Sequence, residues 1–337
     1  MAFDLILRGG RVIDPFQKLD AVTDVAFAGG KVAMVGNELK ADTATDVRDV
    51  SGYIVTPGLI DLHTHVYWGG TSLGIDAEEF CRTSGVTTAV DTGSAGPGNF
   101  AGFRKHVIEP SQVRILAYLH VSHAGIYGFS HRVMVGESEE MRLMNPIDAV
   151  KVAEQNRDLI VGIKVRVGLH ASGSSGIAPL EIALEVAEEV GMPLMAHIDH
   201  PPPSYEEVLA RLRPGDVLTH AFRPFPNTAA TAQGTVKRAV LEARERGILC
   251  MGMPLPDVVA ASTANAATAL RRPELGSLKP GSAGDATLIS VQQGQFDYLD
   301  VVGEHLIGDR KIVSEGVVIA GRWWHPKQSS KFRQLTG

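Results

Sequence analysis

Cysteine is nearly absent: Cys81 and Cys250 are the two among 337 residues, which excludes a disulfide framework. Basic charge is not in excess. Lys and Arg number 32 against 38 Asp and Glu, and the formal net charge of −6 argues against a broad basic face for nucleic acid. No uninterrupted apolar run approaches the roughly 18–20 residues of a membrane helix. The start, MAFDLILRGG, carries an acid early and has no basic region before a cleavage site, which predicts no secretory leader. Internal repeats and low-complexity tracts are also lacking. What is present is 44% hydrophobic and 21% charged sequence, enough for a sizeable core. The expectation is a soluble, cytoplasmic, mixed α/β protein of about two domains, with neither nucleic acid nor membrane as partner. Of its 36 glycines and 12 histidines, the histidines carry the chemical information.

The first segment reads as short strands and tight turns. FDLILRGGRVIDP and DVAFAGGKVAMVG each place Gly-Gly between two apolar runs, a hairpin signal. Residues 1–55 are expected to form a small antiparallel sheet, too small to stand alone. From Tyr53 the texture changes to apolar strands alternating with helices, which implies parallel βαβ units. APLEIALEVAEEVG has helical spacing and stops at Gly191. After residue 280 the strand-and-turn texture returns, with Trp323 and Trp324 expected to pack within it or at a subunit contact. The predicted organisation is a small β domain made from 1–55 and 281–337 beside a (β/α) barrel over 56–280.

Histidines recur at strand ends. His63 and His65 close the first central strand two residues apart, and alternate strand residues share a face. Lys164 lies inside the apolar strand GIKVRV, His197 ends PLMAHI and His220 ends DVLTH. In barrels the C-terminal ends of the strands form the active-site mouth. These five side chains are therefore candidate metal ligands, imidazole being suited to zinc. A buried unpaired ammonium is costly, so Lys164 needs an explanation. As a carbamate it becomes anionic and able to bridge two cations; the plain alternative is a lysine that snorkels or pairs with a carboxylate.

VTPGLIDLHTH closely resembles the signature of the amidohydrolase superfamily, and the order His63, His65, Lys164, His197, His220 resembles its binuclear subtype. STANAATAL is similar to that family's last barrel helix, and LGSLKPGSAGDATLISV to its return into a small β domain. GIKVRVG, PLMAHI and PPPSYEEVLARLRPGDVLTH look like its dihydroorotase-like amidohydrolase/deacetylase group. The resemblance implies a (β/α)8 barrel of the TIM type with a β-sandwich from both chain ends. It also implies two divalent metal ions, zinc foremost, sharing a carbamate on Lys164 and a hydroxide. His63 and His65 would hold one metal, and His197 and His220 the other. The hydroxide would attack an amide, cyclic-amide or acetyl-ester carbonyl of a small molecule. An Asp after the eighth strand would bind the first metal and pass a proton to the leaving group.

That Asp cannot be placed. Between Pro57 and His220 six strands fit, but the 33 residues from 221 to 253 hold one helix and one strand, ILCMGM, where two units are expected. The chain reads as short by roughly one βα unit, against about 250 residues for a full barrel. The missing piece is expected between Cys250 and Met251. Asp257 is expected to be an acid in the first turn of a helix, and Asp199 a loop acid able to reach the site. In the loop after the third barrel strand, His123, Tyr127 and Arg132 are candidate substrate contacts, as is Arg166, two residues after Lys164. His170 and His200 receive no role, Cys81 is expected in the core, and Asp91 is expected to hydrogen-bond within the barrel. Two functional classes remain open: a metallohydrolase, and a catalytically impaired metal-binding relative lacking the barrel Asp. Oligomeric state is open too, with a symmetric homo-oligomer as the common default.

Overall fold

The structure is a computed structural model that describes residues 2–37, 39–40, 43–130, 132–220, 223, 226–248, 255–299 and 305–324. The described residues of 1–60, 78–88 and 254–337 form one compact unit, and those of 61–77 and 89–253 another.

The chain begins with β1 (Phe3–Asp14), β2 (Leu19–Ala28), β3 (Lys31–Gly36), β4 (Ala44–Asp49) and β5 (Ile54–Pro57). Alternation along β1 sends Leu5 and Leu7 into one core with Val25, Phe27 and Val32, while Ile6 packs with Ala26 on the other side. Gly29-Gly30 is the expected turn, since Ala28 pairs with Lys31 across it. Gly9-Gly10 is not a turn, contrary to the sequence reading. β1 runs through it as a bulge between Leu7 and Gly10, with Gly9 at φ +74°. The reason is tertiary. β4 and β5 share the edge of β1 opposite β2, pairing at Phe3–Arg8 and at Arg11–Val12. The bulge faces the jog between them, where a Cβ on Gly10 would meet Val55 at 2.7 Å and Val50 at 3.0 Å. Both pairings are parallel, so the sheet is mixed and not the antiparallel one expected.

The second sheet has six parallel strands in sequential order. They are β6 (Leu59–Thr64), β7 (Val86–Thr92), β8 (Arg114–His120), β9 (Ile160–Val167), β10 (Leu194–Ile198) and β11 (Val217–Thr219). Helices alternate with them as the sequence predicts, among them Pro146–Gln155, Ala178–Glu189 and Tyr205–Arg211. Local chemistry starts these helices: Asn145 caps the first, and Ser204 with Glu207 forms a reciprocal capping box on the last. β6 and β11 are the two ends of the strand order, yet His63 Nδ1 lies 2.5 Å from Thr219 Oγ1. The sheet is thus rolled into a nearly closed barrel. The seventh strand expected at ILCMGM and the Cys250–Met251 junction fall on residues 249–254, outside the described residues. Asp257 is exposed in the first turn of the helix Leu255–Ala260, as expected.

The C-terminal strands β12 (Ala286–Leu299), β13 (His305–Ile319) and β14 (Arg322–Trp324) return to the first sheet, β12 pairing antiparallel with β5. The two chain ends thereby build one eight-stranded sheet, with Trp323 packed against its core. No helix among the described residues is long and apolar enough to cross a membrane.

Asp14, fully buried, ties the ends of the chain together. It accepts hydrogen bonds from Ser277 Oγ (2.9 Å) and Leu278 N (2.6 Å), as well as from Gln17. Asp14→Ala strands the buried Ser277 and Leu278 donors and is expected to lower the unfolding free energy by about 2–3 kcal/mol. Urea unfolding should show a lower midpoint at unchanged slope.

Candidate active site

The register of the parallel sheet sets one level of side chains beside the next. His120 on β8 stands opposite Lys164 on β9, Arg166 opposite His197 on β10, and His197 opposite Thr219 on β11. His63 and His65 come from the end of β6, where the Asp61 side chain accepts the His63 N–H at 2.9 Å. His220 follows β11 at φ +58°, a left-handed conformation uncommon for a non-glycine residue. Its ring centroid lies 4.7 Å from those of both His63 and His197, and His63 lies 5.4 Å from His65. The five residues singled out by the sequence thus meet at the C-terminal ends of the strands.

Lys164 is fully buried and its Nζ has no hydrogen-bond partner among the described residues. Burial, and next the cation of Arg166, push its ammonium down to about 7. Burial and Lys164 take His65 to about 3 and His220 to about 4, and hold His63 still lower. Burial and Arg166 do the same for His197. All four imidazoles are therefore neutral at pH 7, the protonation state a metal ligand requires. His63 Nδ1 meets Thr219 Oγ1, and His65 Nδ1 meets Ser94 Oγ at 3.0 Å, which orients both rings and leaves each Nε2 free of that contact. The buried His197 Nε2 has no hydrogen-bond partner among the described residues either. The chemistry of this donor set fits divalent cations, although no three His, Cys, Asp or Glu side chains among the described residues are arranged to hold one as they stand.

Behind Lys164 lies a second set, partly missed from the sequence. Glu137, 3% exposed, bridges two strand ends: Oε2 accepts from Arg166 Nη1 at 3.2 Å, and Oε1 lies 3.3 Å from His120 Nε2. Burial opposes ionisation of Glu137, but His120 and Arg166 outweigh it and hold its carboxyl below the usual range. Ser122 N donates to His120 Nδ1, so the ring proton sits on Nε2, facing Glu137. His120 closes VRILAYLH just as His197 and His220 close their strands, a signal available in the sequence. Glu137 sits in an irregular loop and has no such signal.

His123, Tyr127 and Arg132 are exposed on the loop after β8, and no hydrogen bond, ion pair or ring contact joins them to the cluster among the described residues. Arg166 is joined to it. Asp199 is buried, 3.9 Å from His197 Nε2, deeper than a loop acid is expected to be. His170 and His200 pair edge to face in exposed loops. Asp91 accepts the Val66 and Ser94 N–H groups at 2.9 Å, and burial raises its carboxyl to about 6.

Lys164 occupies its position only because residue 93 lacks a Cβ. At φ +89°, a Cβ on Gly93 would meet Lys164 Cγ at 2.6 Å and His120 at 3.0 Å. Gly93→Ala is expected to cost about 2–5 kcal/mol, backbone strain plus overpacking. Gly52→Ala, at φ +85° with nothing within 4 Å, should cost only the strain, about 1–2 kcal/mol. Equal urea midpoints for the two variants would refute the packing argument.

The amidohydrolase family pattern matches residues 54–215. Deacetylase Atu3266 of Agrobacterium fabrum is 41% identical over 204 residues, 59% of this chain and 49% of its own length. A deacetylase of Brucella anthropi is 39% identical over 207 residues, 60% of this chain and 50% of its own. The chain spans about half the length of these curated relatives. The crystal structure of a dihydroorotase superposes with a TM-score of 0.82 at 27% identity, covering 96% of this chain and 99% of that one. With the signature strand, the barrel and the histidine order agreeing, the chain is similar to the amidohydrolase superfamily in sequence over residues 54–215 and in fold over 96% of its length.

Proposed function

We propose that the protein is a metal-dependent hydrolase acting on a small amide, cyclic amide or acetyl ester. The observation that carries this reading is the meeting of four neutral imidazoles and one buried, unpartnered lysine amine at the mouth of the barrel. His63, His65, Lys164, His197 and His220 would hold two divalent cations, zinc by donor preference. The chemistry such cations supply is activation of water and polarisation of the substrate carbonyl. Lys164, its ammonium pushed to about 7, is substantially an amine at neutral pH. It can add to carbon dioxide, forming an N–C bond and releasing one proton, and so present two oxygens in place of one nitrogen. Thr219 and Ser94 hold the rings of His63 and His65 in orientation. The deacetylases and the dihydroorotase to which the chain is similar support acyl and cyclic-amide substrates respectively. The six described barrel strands and the eight-stranded sheet fit the wider plan of a (β/α)8 barrel with a small β-sandwich, short by about one βα unit.

A second reading, a metal-binding relative without turnover, follows from the sequence, in which the barrel Asp cannot be placed. One experiment separates the two: zinc per chain is measured first, then release of product from acetylated amino acids, acetylated hydroxy acids and dihydroorotate. Bound zinc with turnover is the expected result; zinc without turnover on the panel supports the second reading, and no zinc sinks both. His197→Asn should lose metal while His170→Asn keeps it. Reconstitution of stripped protein should be faster and more complete with added bicarbonate than in carbon dioxide-free buffer, if Lys164 enters as a carbamate.

A further inference from the structure

Strands β12 and β13 run on together beyond the rest of their sheet. β12 pairs with β5 over Ala286–Ile289, and β13 with β14 over Val317–Ile319. Beyond these points, as far as Leu299 and His305, the two strands pair with each other alone among the described residues. A two-stranded ribbon is marginal in water by itself. This one also presents apolar side chains on both faces: Tyr298 and Leu306 on one, Leu299 and Ile307 on the other, with Leu306 71% and Ile307 55% exposed. Its outer edge on β13 is long and regular. The extra residue at the irregularity between Gln293 and Phe296 lies on β12, so β13 is uninterrupted over Ile307–Val313. Neither a proline nor a bulge protects that stretch, and its charges, Asp309, Arg310 and Lys311, are mixed in sign.

The side chains along this edge follow the same order in both directions, with charge inverted. About Arg310, Asp309 is matched by Lys311, Gly308 by Ile312 and Ile307 by Val313. Antiparallel pairing of a strand with its own copy sets such residues opposite each other. We infer that the outer edge of β13 over Ile307–Val313 is a contact between two copies of this chain, paired antiparallel about a two-fold axis at Arg310. Asp309 then faces the partner's Lys311, and Ile307 faces the partner's Val313, each pair occurring twice by symmetry. An unrelated partner gives no reason for charge to invert about one residue; a copy of the same strand does. The charges are available for it. Arg310 Nε lies 3.5 Å from the neighbouring Asp309 with both side chains exposed, and Lys311 Nζ stands 6.0 Å from the Phe296 ring centroid. The two Arg310 side chains meet at the axis, each with its own Asp309 beside it to offset their repulsion. Arg310 O accepts from Tyr298 Oη at 2.8 Å, and a carbonyl keeps a second lone pair for the ladder. This contact is independent of the chemistry at the barrel mouth.

The test is sedimentation equilibrium of the full chain over a range of concentrations. The wild type is expected to be a dimer that dissociates on dilution. Asp309→Lys and Lys311→Asp each set like charges opposite one another on both sides of the axis, and each should raise the dissociation constant about 10-fold or more. The double variant Asp309→Lys/Lys311→Asp restores opposite charges and should return to within a few-fold of the wild type. These side chains are exposed, so folding is not at stake. Cysteine crosslinking reads the register. Arg310→Cys should give a disulfide-linked dimer on mild oxidation, because opposed Cα atoms of antiparallel strands lie about 4.5–5.5 Å apart. Leu306→Cys should not, since its copy would stand about 27 Å away along the strands. A monomeric wild type overturns the inference, whether the edge then proves bare or covered by something else. So does a dimer indifferent to the single charge reversals, a double reversal as weak as the singles, or equal crosslinking at positions 306 and 310.

Discussion

Lys164 carries an ionisable amine on the inner face of a parallel sheet, where water does not reach it and no side chain among the described residues accepts its hydrogens. Much of the surrounding architecture follows from that burial. The space for its stem exists because residue 93 is glycine, turned into the left-handed region. The low-dielectric surroundings that lower the ammonium also keep the four nearby imidazoles neutral. Neutral imidazoles can crowd to within 4.7–5.4 Å of one another, as charged ones could not without mutual repulsion. The cluster is thus a set of basic donors held in their unprotonated forms, and ordinary protein partners satisfy only some of them.

Buried carboxylates do the corresponding work of joining distant segments. Asp14 fastens the end of β1 to Ser277 and Leu278, in the segment that leads into β12. Asp91 holds the backbone just beyond β6 through Val66 while also closing its own turn at Ser94. Glu137 reaches from the loop after β8 to the ends of β8 and β9. Each accepts from donors that would otherwise be buried and unpaired, which makes these contacts far more consequential than the exposed ion pairs. The exposed bridges, such as Arg11 with Asp20 or Arg238 with Glu242, remain screened by solvent.

The chemistry of the mouth is therefore layered. The histidines and Lys164 form one layer. Thr219 and Ser94 orient two of those rings, and Arg166, Glu137 and His120 stand beside Lys164 with Phe129 laid across the guanidinium. The exposed loop residues His123, Tyr127 and Arg132 lie outside these contacts.

The order of strands and helices, the placement of His63, His65, Lys164, His197 and His220 at strand ends, and the rejoining of the two chain ends could all be read from the sequence. They depend on local periodicity and on apolar runs, which neighbouring residues express directly. The Gly9-Gly10 bulge could not be told from the Gly29-Gly30 turn, because the difference lies in β4 and β5 packing against β1 from 35 or more residues away. Glu137 was equally silent: a carboxylate in an irregular loop has no periodicity, and only closure of that loop decides which buried cations it meets. The sequence by itself determined which donors stand at the ends of the strands. Tertiary structure alone decided which of them lose water, which find partners and which way Arg166 is held, because desolvation and pairing depend on residues brought together by the rolled sheet rather than by the chain.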